Sequence, residues 1–196
     1  MKAKFEKKII GFDFDNVLLS YPPLVPKELI DYLYKRSFSS ENKKNFSLMY
    51  RFPGKLEQKI RIFSHSPIFR HLIKKNTETL SSISSKNYDI YLISSRFSFL
   101  ENRTEEVLKK YKLIKYFTKT FFNFENMQPH IFKDEVIKKL NIEMFVDDDL
   151  DLLNYLAPRN PNVEFFWISN KKNKKALPKN ISHIYDLKEF KQTYLK

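Results

Sequence analysis

Near its start the chain carries the stretch Lys8-Ile9-Ile10-Gly11-Phe12-Asp13-Phe14-Asp15-Asn16-Val17-Leu18-Leu19. Its apolar run from residue 9 to residue 12 predicts a buried strand, and two aspartates follow that strand directly. Because a strand places residues i and i+2 on one face, we expect Asp13 and Asp15 to point into the same crevice at its carboxyl end. Two carboxylates that close repel each other unless a cation or a proton lies between them. A plain turn after the strand is the alternative, since Asp and Asn are common turn residues.

The composition is that of a globular protein without disulfides. The chain has 196 residues, 42% of them hydrophobic, which suffices for one sizeable domain or a domain with a modest insertion. The absence of Cys excludes disulfides, thiolate metal sites and cysteine nucleophiles. No apolar run approaches the roughly 18 residues that a membrane span needs. No apolar leader precedes the first strand, so we expect a cytoplasmic protein with no membrane partner.

The net charge is strongly positive. The sequence has 36 Lys and Arg against 23 Asp and Glu, a formal charge of +13. Such a field favours anionic partners, including phosphorylated small molecules and nucleic acid. A general bias of composition is an alternative explanation of this positive charge, because Lys, Asn, Ile, Phe and Tyr are all abundant while Gly numbers only two. Charge alone therefore does not establish nucleic-acid binding.

Residues 20–86 predict a mainly helical insert between two strands. After three prolines in residues 20–26, helices are predicted at 27–36, 55–63 and 67–83, with a polar loop at 37–46. The insert concentrates cationic and titratable side chains at Arg51, Lys55, Arg61, His65, Arg70 and His71. A solvated helix face explains most of them, and a subset that faces phosphate is the alternative, since Arg suits bidentate phosphate contacts. The six-residue spacing of the two histidines does not suit a metal site on one helix.

The rest of the chain alternates apolar runs with amphipathic segments. Strands are predicted at 88–93, 117–123, 142–146, 163–168 and 181–184, and helices at 101–115, 133–140, 150–156 and 186–194. Alternation of this kind predicts a mostly parallel sheet with right-handed crossovers, in a Rossmann-like three-layer α/β/α core.

Polar residues stand at the carboxyl ends of two of these predicted strands, where ligands bind in open α/β sheets. The strand at 88–93 ends in Ser94-Ser95-Arg96, which could contact a phosphate or simply cap the next helix. The strand at 142–146 ends in Asp147-Asp148-Asp149-Leu150-Asp151. One Asp satisfies the N-terminus of a helix, so three in a row after a buried strand indicate a site for a hard cation.

The joint order of Asp-x-Asp, Ser, Lys and an Asp cluster resembles the haloacid dehalogenase (HAD) superfamily. Its members are mostly Mg²⁺-dependent phosphohydrolases with an aspartyl nucleophile. The resemblance covers residues 1–19 and roughly 88–186. It implies a catalytic core of 1–19 and 87–196, with residues 20–86 inserted as a small helical cap.

The resemblance also implies roles for individual residues. Asp13 would be the nucleophile that forms an aspartyl-phosphate, and Asp15 the general acid and then the base. Ser94 would hold a phosphoryl oxygen, and Lys133 would neutralise charge between nucleophile and phosphate. Mg²⁺ would be held by the four aspartates Asp13, Asp15, Asp147 and Asp148. Asp151 falls at the spacing of the family's trailing Asp.

The predicted function is therefore hydrolysis of a phosphomonoester, with a small molecule or nucleotide as substrate rather than nucleic acid. Dehalogenation is disfavoured, because Asp15 supplies an acid that a leaving halide does not need. Three alternatives stay open on the same fold: a non-catalytic binding protein, a nucleic-acid-binding protein, and a phosphotransferase. The sequence does not determine the substrate, the oligomeric state or the choice between Mg²⁺ and Mn²⁺.

Overall fold

The computed structural model describes residues 7–21, 48–83, 88–171 and 176–195. These residues form one six-stranded sheet in which every pair of neighbouring strands is parallel, in the order β3-β2-β1-β4-β5-β6. The strands are β1 (Lys8–Phe12), β2 (Tyr88–Ser94), β3 (Lys119–Phe122), β4 (Met144–Asp147), β5 (Glu164–Ile168) and β6 (Ile181–Ile184). The strand order turns back at the boundary between β1 and β4, which is where parallel α/β sheets open a crevice for ligands.

Helices cover both faces of the sheet. They are α1 (Lys55–Ser64), α2 (Lys74–Ile83), α3 (Glu101–Lys110), α4 (Pro129–Leu140), α5 (Leu150–Leu156) and α6 (Leu187–Tyr194). One buried cluster joins α2, α3 and α6 to side chains of the sheet such as Ile10 and Phe12. A second cluster joins α4 and α5 to side chains such as Phe145 and Phe165. The predicted three-layer, Rossmann-like α/β/α core is therefore confirmed.

Several predicted helix bounds are wrong for identifiable reasons. The helix predicted at 67–83 begins only at Lys74, because the backbone before it pairs with residues 18–20 instead. Ser20 donates its N–H to the carbonyl of His71 at 2.8 Å, and Ile73 donates to the carbonyl of Leu18 at 2.9 Å. The helix predicted at 101–115 ends at Lys110, since Lys112 takes a left-handed conformation with φ 51°. The predicted helix at 27–36 and loop at 37–46 lie outside the described residues.

The end of the predicted insert packs as part of the core. Leu80 and Ile83 of α2 lie in the same buried cluster as Ile10 of β1. The side chain of Asn76 donates to the carbonyl of Val17 at 2.7 Å and accepts from the N–H of Leu187 at 3.1 Å. The division into a core of 1–19 and 87–196 and a cap of 20–86 stays a prediction, and α2 sits with the core. No helix among the described residues is long and apolar enough to cross a membrane.

Gly11 is the position in β1 where the sheet tolerates no side chain. A Cβ built on Gly11 would lie 2.7 Å from Cδ2 of Phe145 and 3.1 Å from Cδ1 of Ile93. Because Phe145 is itself fully buried, its ring cannot move without disturbing the packing of α4 and α5. The absence of a side chain at Gly11 therefore leaves room for the Phe145 ring beside β1.

We expect Gly11→Ala to lower the free energy of unfolding by about 1–3 kcal/mol, through overpacking beside Phe145. Chemical denaturation measures this change. Gly54→Ser is the matched control, because a Cβ at Gly54 meets nothing within 4 Å and Ser is a good residue at the N-cap of α1. Equal stability of the Gly11→Ala protein and the wild type would contradict this packing argument.

Candidate active site

The polar residues predicted from the sequence lie at the carboxyl edge of three adjacent strands. Asp13 follows β1 directly, Asp147 ends β4, and Ser94 ends β2. The backbone N–H of Asp13 donates to the carbonyl of Val146 at 2.9 Å, which extends the pairing of β1 and β4 by one residue. The parallel register therefore brings residues that are far apart in the chain to the point where the strand order reverses.

Three carboxylates form a close group at this edge. One oxygen from each of Asp13, Asp147 and Asp148 lies within 4.8 Å of the other two. Lys133, on α4, donates from Nζ to Oδ1 of Asp13 at 2.7 Å and to Oδ2 of Asp147 at 2.6 Å. A single lysine leaves this group of carboxylates with excess negative charge when all are ionised. The donor set of carboxylate oxygens fits a divalent cation such as Mg²⁺.

Burial sets the protonation of this group. Burial raises the pKa of Asp13 from 3.8 to about 7; the Lys133 ammonium opposes the shift, and Asp147 and Asp148 reinforce it. Burial also raises the pKa of Asp147, again against the effect of Lys133. Burial alone would lower the pKa of Lys133, but Asp13 and Asp147 raise it above its ordinary value. Lys133 is therefore a cation under all ordinary conditions. A second positive charge would stabilise the ionised form of the carboxylates.

The Asp15 carboxylate lies in a different environment from that of Asp13. Arg96 binds it in a bidentate manner, with Nε to Oδ2 at 2.8 Å and Nη2 to Oδ1 at 2.8 Å. Arg70 also donates to Oδ1. Arg96 is buried, lies over the ring of Phe14 at 4.6 Å from its centroid and donates to Thr104 at 3.1 Å. The Asp15 side chain therefore lies outside the group formed by Asp13, Asp147 and Asp148, and its role as a fourth metal ligand stays a prediction.

The acidic run after β4 divides into two roles. Asp148 accepts from Nδ2 of Asn16 at 2.9 Å and from the hydroxyl of Tyr21 at 3.2 Å, beside the carboxylate group. Asp149 is the N-cap of α5 and accepts from the N–H groups of Asp151 and Leu152. Asp149 also donates its own N–H to Oδ1 of Asp147 at 2.9 Å. One aspartate of the run thus caps the helix, as a helix N-terminus requires.

The sequence did not predict that Tyr50 contacts Asp149, the N-cap residue of α5. The Tyr50 hydroxyl donates to Oδ2 of Asp149 at 2.9 Å. Its backbone N–H donates to Oε1 of Gln128 at 2.9 Å, and its carbonyl accepts from Nε2 of Gln128 at 3.1 Å. The segment before α1 is therefore tied to the loop that begins α4, the helix that carries Lys133. A single Tyr after a polar stretch of sequence carries no pattern that would indicate such a contact.

The site opens into a cavity of about 790 Å³. Its floor contains Asp13, Ser94, Lys133 and the acidic residues after β4, and residues of α1 line it from the insert. Ser94 is buried, and the neighbouring Ser95 has a buried hydroxyl with no hydrogen-bond partner among the described residues. The cavity is large enough for a small organic ligand, since such pockets typically measure about 300–1,000 Å³.

Comparison with known proteins establishes the fold. No protein-family model and no curated protein matches the sequence. Among solved structures, a HAD-superfamily hydrolase of subfamily IA, variant 1, from Geobacter sulfurreducens is similar, with a TM-score of 0.56, 15% identity and 95% of each chain covered. A dehalogenase with an intermediate complex has a TM-score of 0.65 and 13% identity over 97% of this chain and 98% of its own.

A third similar structure is the D,D-heptose 1,7-bisphosphate phosphatase from B. bronchiseptica, complexed with magnesium and phosphate. Its TM-score is 0.53 and its identity 11%, over 92% of this chain and 94% of that one. The three-layer parallel fold of the chain is thus the fold of HAD-superfamily hydrolases, and it carries an acidic cluster at the carboxyl edge of its sheet. The resemblance noted from the sequence is confirmed at the level of the fold.

Proposed function

We propose that this protein is an enzyme, a Mg²⁺-dependent phosphohydrolase that cleaves a phosphomonoester through an aspartyl-phosphate on Asp13. The observation that carries the proposal is the group formed by Asp13, Asp147 and Asp148 with Lys133. A phosphoryl group spreads charge over three oxygens, so a site that transfers it needs a cation, a lysine and hydrogen-bond donors close together. The chain supplies the lysine and the ligands for the cation at one point.

In the proposed reaction a carboxylate oxygen of Asp13 forms a bond to phosphorus while the bond from phosphorus to the leaving oxygen breaks. Asp15 gives a proton to that leaving oxygen and later removes one from the water that hydrolyses the aspartyl-phosphate. Asp15 has to be protonated for the first step and ionised for the second, and the ion pairs that Arg96 and Arg70 make with it favour the ionised form that the second step needs. Ser94 contacts a phosphoryl oxygen, and Lys133 keeps the Asp13 oxygen close to phosphorus.

Mg²⁺ would be held by Asp13, Asp147 and Asp148 and would supply positive charge that offsets the carboxylates and the phosphate. The spacing of these three oxygens supports this assignment. The predicted contribution of Asp15 to the ion is not supported by its side chain, which two arginines hold. We propose a small phosphorylated molecule or a nucleotide as the substrate.

The test is a hydrolysis screen over sugar phosphates, nucleotides and phosphorylated oligonucleotides, with Mg²⁺ and with a chelator. Turnover that the chelator abolishes supports the proposal. Release of halide from a haloacid in place of phosphate would show dehalogenase chemistry, and turnover only with an added acceptor would show a phosphotransferase. Ligand binding with no turnover of any substrate would contradict an enzymatic role.

The raised pKa of Asp13 makes a prediction about stability and pH. Between the unfolded value of 3.8 and about 7, the folded state holds a proton on Asp13 that the unfolded state has released. The contribution of Asp13 to stability is therefore present at low pH and lost as the pH rises through this window. Without metal, we expect the Asp13→Asn protein to become more stable than the wild type as the pH rises to about 8, because its amide never charges.

Thermal unfolding of both proteins across this pH range, in chelator, measures the difference. Buried His65, whose pKa burial and Arg96 lower to about 3, contributes with the opposite sign but equally in both proteins. Saturating Mg²⁺ should reverse the order at high pH, since a ligand at 100 times its Kd stabilises the folded state by about 2.7 kcal/mol. A pH-independent difference between the two proteins would contradict the titration of Asp13 in this range.

A further inference from the structure

The wall of the cavity that α1 provides is a single helix face. Apart from Lys55 in the first turn, the residues of this helix and its C-cap that line the cavity recur at a spacing of four, in two adjacent rows: Leu56, Ile60 and Ser64, and Glu57, Arg61 and His65. Residues four apart lie above one another on a helix, so these side chains form one continuous surface. The first two residues of the first row, Leu56 and Ile60, are apolar, and we call these two residues the apolar row.

The apolar row is exposed although it lines a cavity. Leu56 is 74% exposed and Ile60 is 58% exposed. Two further apolar side chains, Phe97 and Leu100, line the same cavity from the segment after β2, and both are buried in the core. Exposed apolar surface that is continuous with a polar site is typical of a ligand contact.

The polar row beside it is already engaged within the protein. The Glu57 carboxylate accepts from both Arg51 and Arg61. Nδ1 of His65 lies 2.8 Å from the carbonyl oxygen of Arg61. Because a carbonyl only accepts, Nδ1 carries the proton, and the neutral ring keeps its acceptor at Nε2. Besides these ion pairs and the exposed Lys55, this wall therefore offers a substrate apolar surface and a neutral ring.

We propose that the apolar row is a subsite for the leaving group of the substrate, and that the substrate is a phosphomonoester whose leaving group carries an aromatic ring, such as an aryl phosphate or a nucleoside monophosphate. This inference rests on the proposed phosphohydrolase function. The anionic phosphate matches Lys133 and the cation that the carboxylates would hold, and the ring contacts Leu56 and Ile60 in the same cavity. A small, fully hydroxylated leaving group would leave this apolar surface in water.

The first experiment compares phenyl phosphate with glycerol phosphate in the double variant Leu56→Ser/Ile60→Ser. We expect KM for phenyl phosphate to rise about tenfold with kcat little changed, and the kinetics of glycerol phosphate to stay as in the wild type. Phe63→Ser is the matched control, because Phe63 lies on the same helix, is 66% exposed and does not line the cavity. Equal losses for both substrates, or a change of oligomeric state with unaltered KM, would overturn the subsite.

A second experiment does not depend on turnover. Phenylphosphonate and methylphosphonate carry the same charged group on a carbon that cannot leave, so calorimetric titration with Mg²⁺ compares their affinities directly. We expect phenylphosphonate to bind about tenfold more tightly to the wild type and equally to the double variant. Equal affinity in the wild type would overturn the subsite. Preferential binding of phenylphosphonate without hydrolysis of any phosphate ester would instead sustain the subsite and contradict the proposed function.

Discussion

Asp13→Asn is expected to lower kcat/KM for phosphate ester hydrolysis by at least about a thousandfold, because loss of a covalent nucleophile removes the main route of the reaction. An amide of nearly the same shape replaces the carboxylate, so the packing beside Val146 and Lys133 is retained. Initial rates with Mg²⁺ at substrate concentrations below KM measure the effect. Rapid quenching of the wild type with a radiolabelled substrate should trap phosphate on the protein, and the variant should trap none.

Asp89→Asn is a matched control for that variant. Asp89 lies on β2, partly exposed, and its carboxylate meets only the exposed Lys7 at 3.4 Å among the contacts of the described residues. Exposed pairs of this kind contribute about 0–1 kcal/mol, so the control should keep both activity and stability. Retention of the wild-type rate by Asp13→Asn would exclude Asp13 as the nucleophile and with it the proposed intermediate.

Lys133→Met is expected to impair both activity and folding. Lys133 is the cation that contacts two of the three clustered carboxylates, and it is 3% exposed. Removing one partner of a buried ion pair costs about 3–5 kcal/mol, because the remaining charges stay buried without compensation. Loss of a group that stabilises transition-state charge lowers kcat by about a hundredfold to a thousandfold.

Lys138→Met separates the role of Lys133 from the loss of any lysine on α4. Lys138 lies on the same helix, is largely exposed and pairs with Asp134 at 2.6 Å. We expect this control to change the free energy of unfolding by less than about 1 kcal/mol and to leave turnover intact. Denaturation at two values of pH completes the test, since protonation of the carboxylates at low pH should rescue much of the stability of Lys133→Met. Full activity of the Lys133→Met protein would contradict the role of Lys133 at the phosphoryl group.

The local pattern of the sequence predicted the framework of this protein well. Apolar runs that end in aspartate identified β1 and β4, because a buried strand in a parallel sheet needs side chains that are apolar on both faces. The predicted bounds of α5, residues 150–156, match the structure, since Asp149 caps that helix through its own side chain. The neighbourhood of Asp13 and Asp147 also followed, because parallel strands align their carboxyl ends at one edge, whereas Lys133 on α4 was implied only by the resemblance to the HAD superfamily.

Pairings between distant residues were beyond the reach of local pattern. The two arginines that hold Asp15 lie 55 and 81 residues away from it in the chain. The sequence offered Arg70 as one cation among several on a predicted helix, and that segment is instead held by backbone pairing with residues 18–20. Such a pairing depends on where a loop returns to the sheet, and no periodicity of side chains encodes it.

The sequence by itself therefore determined the class of the fold, the strands that carry the carboxylates and the residues that meet at their ends. Only the tertiary structure decided which aspartates share a cation site and which one is held by arginines, because Asp13 and Asp15 are two residues apart yet face different partners. Only the tertiary structure also placed α2 in the core and the apolar row of α1 along the cavity. The physical reason is that strand and helix formation depend on neighbours in sequence, whereas the environment of a charge depends on every segment that folds around it.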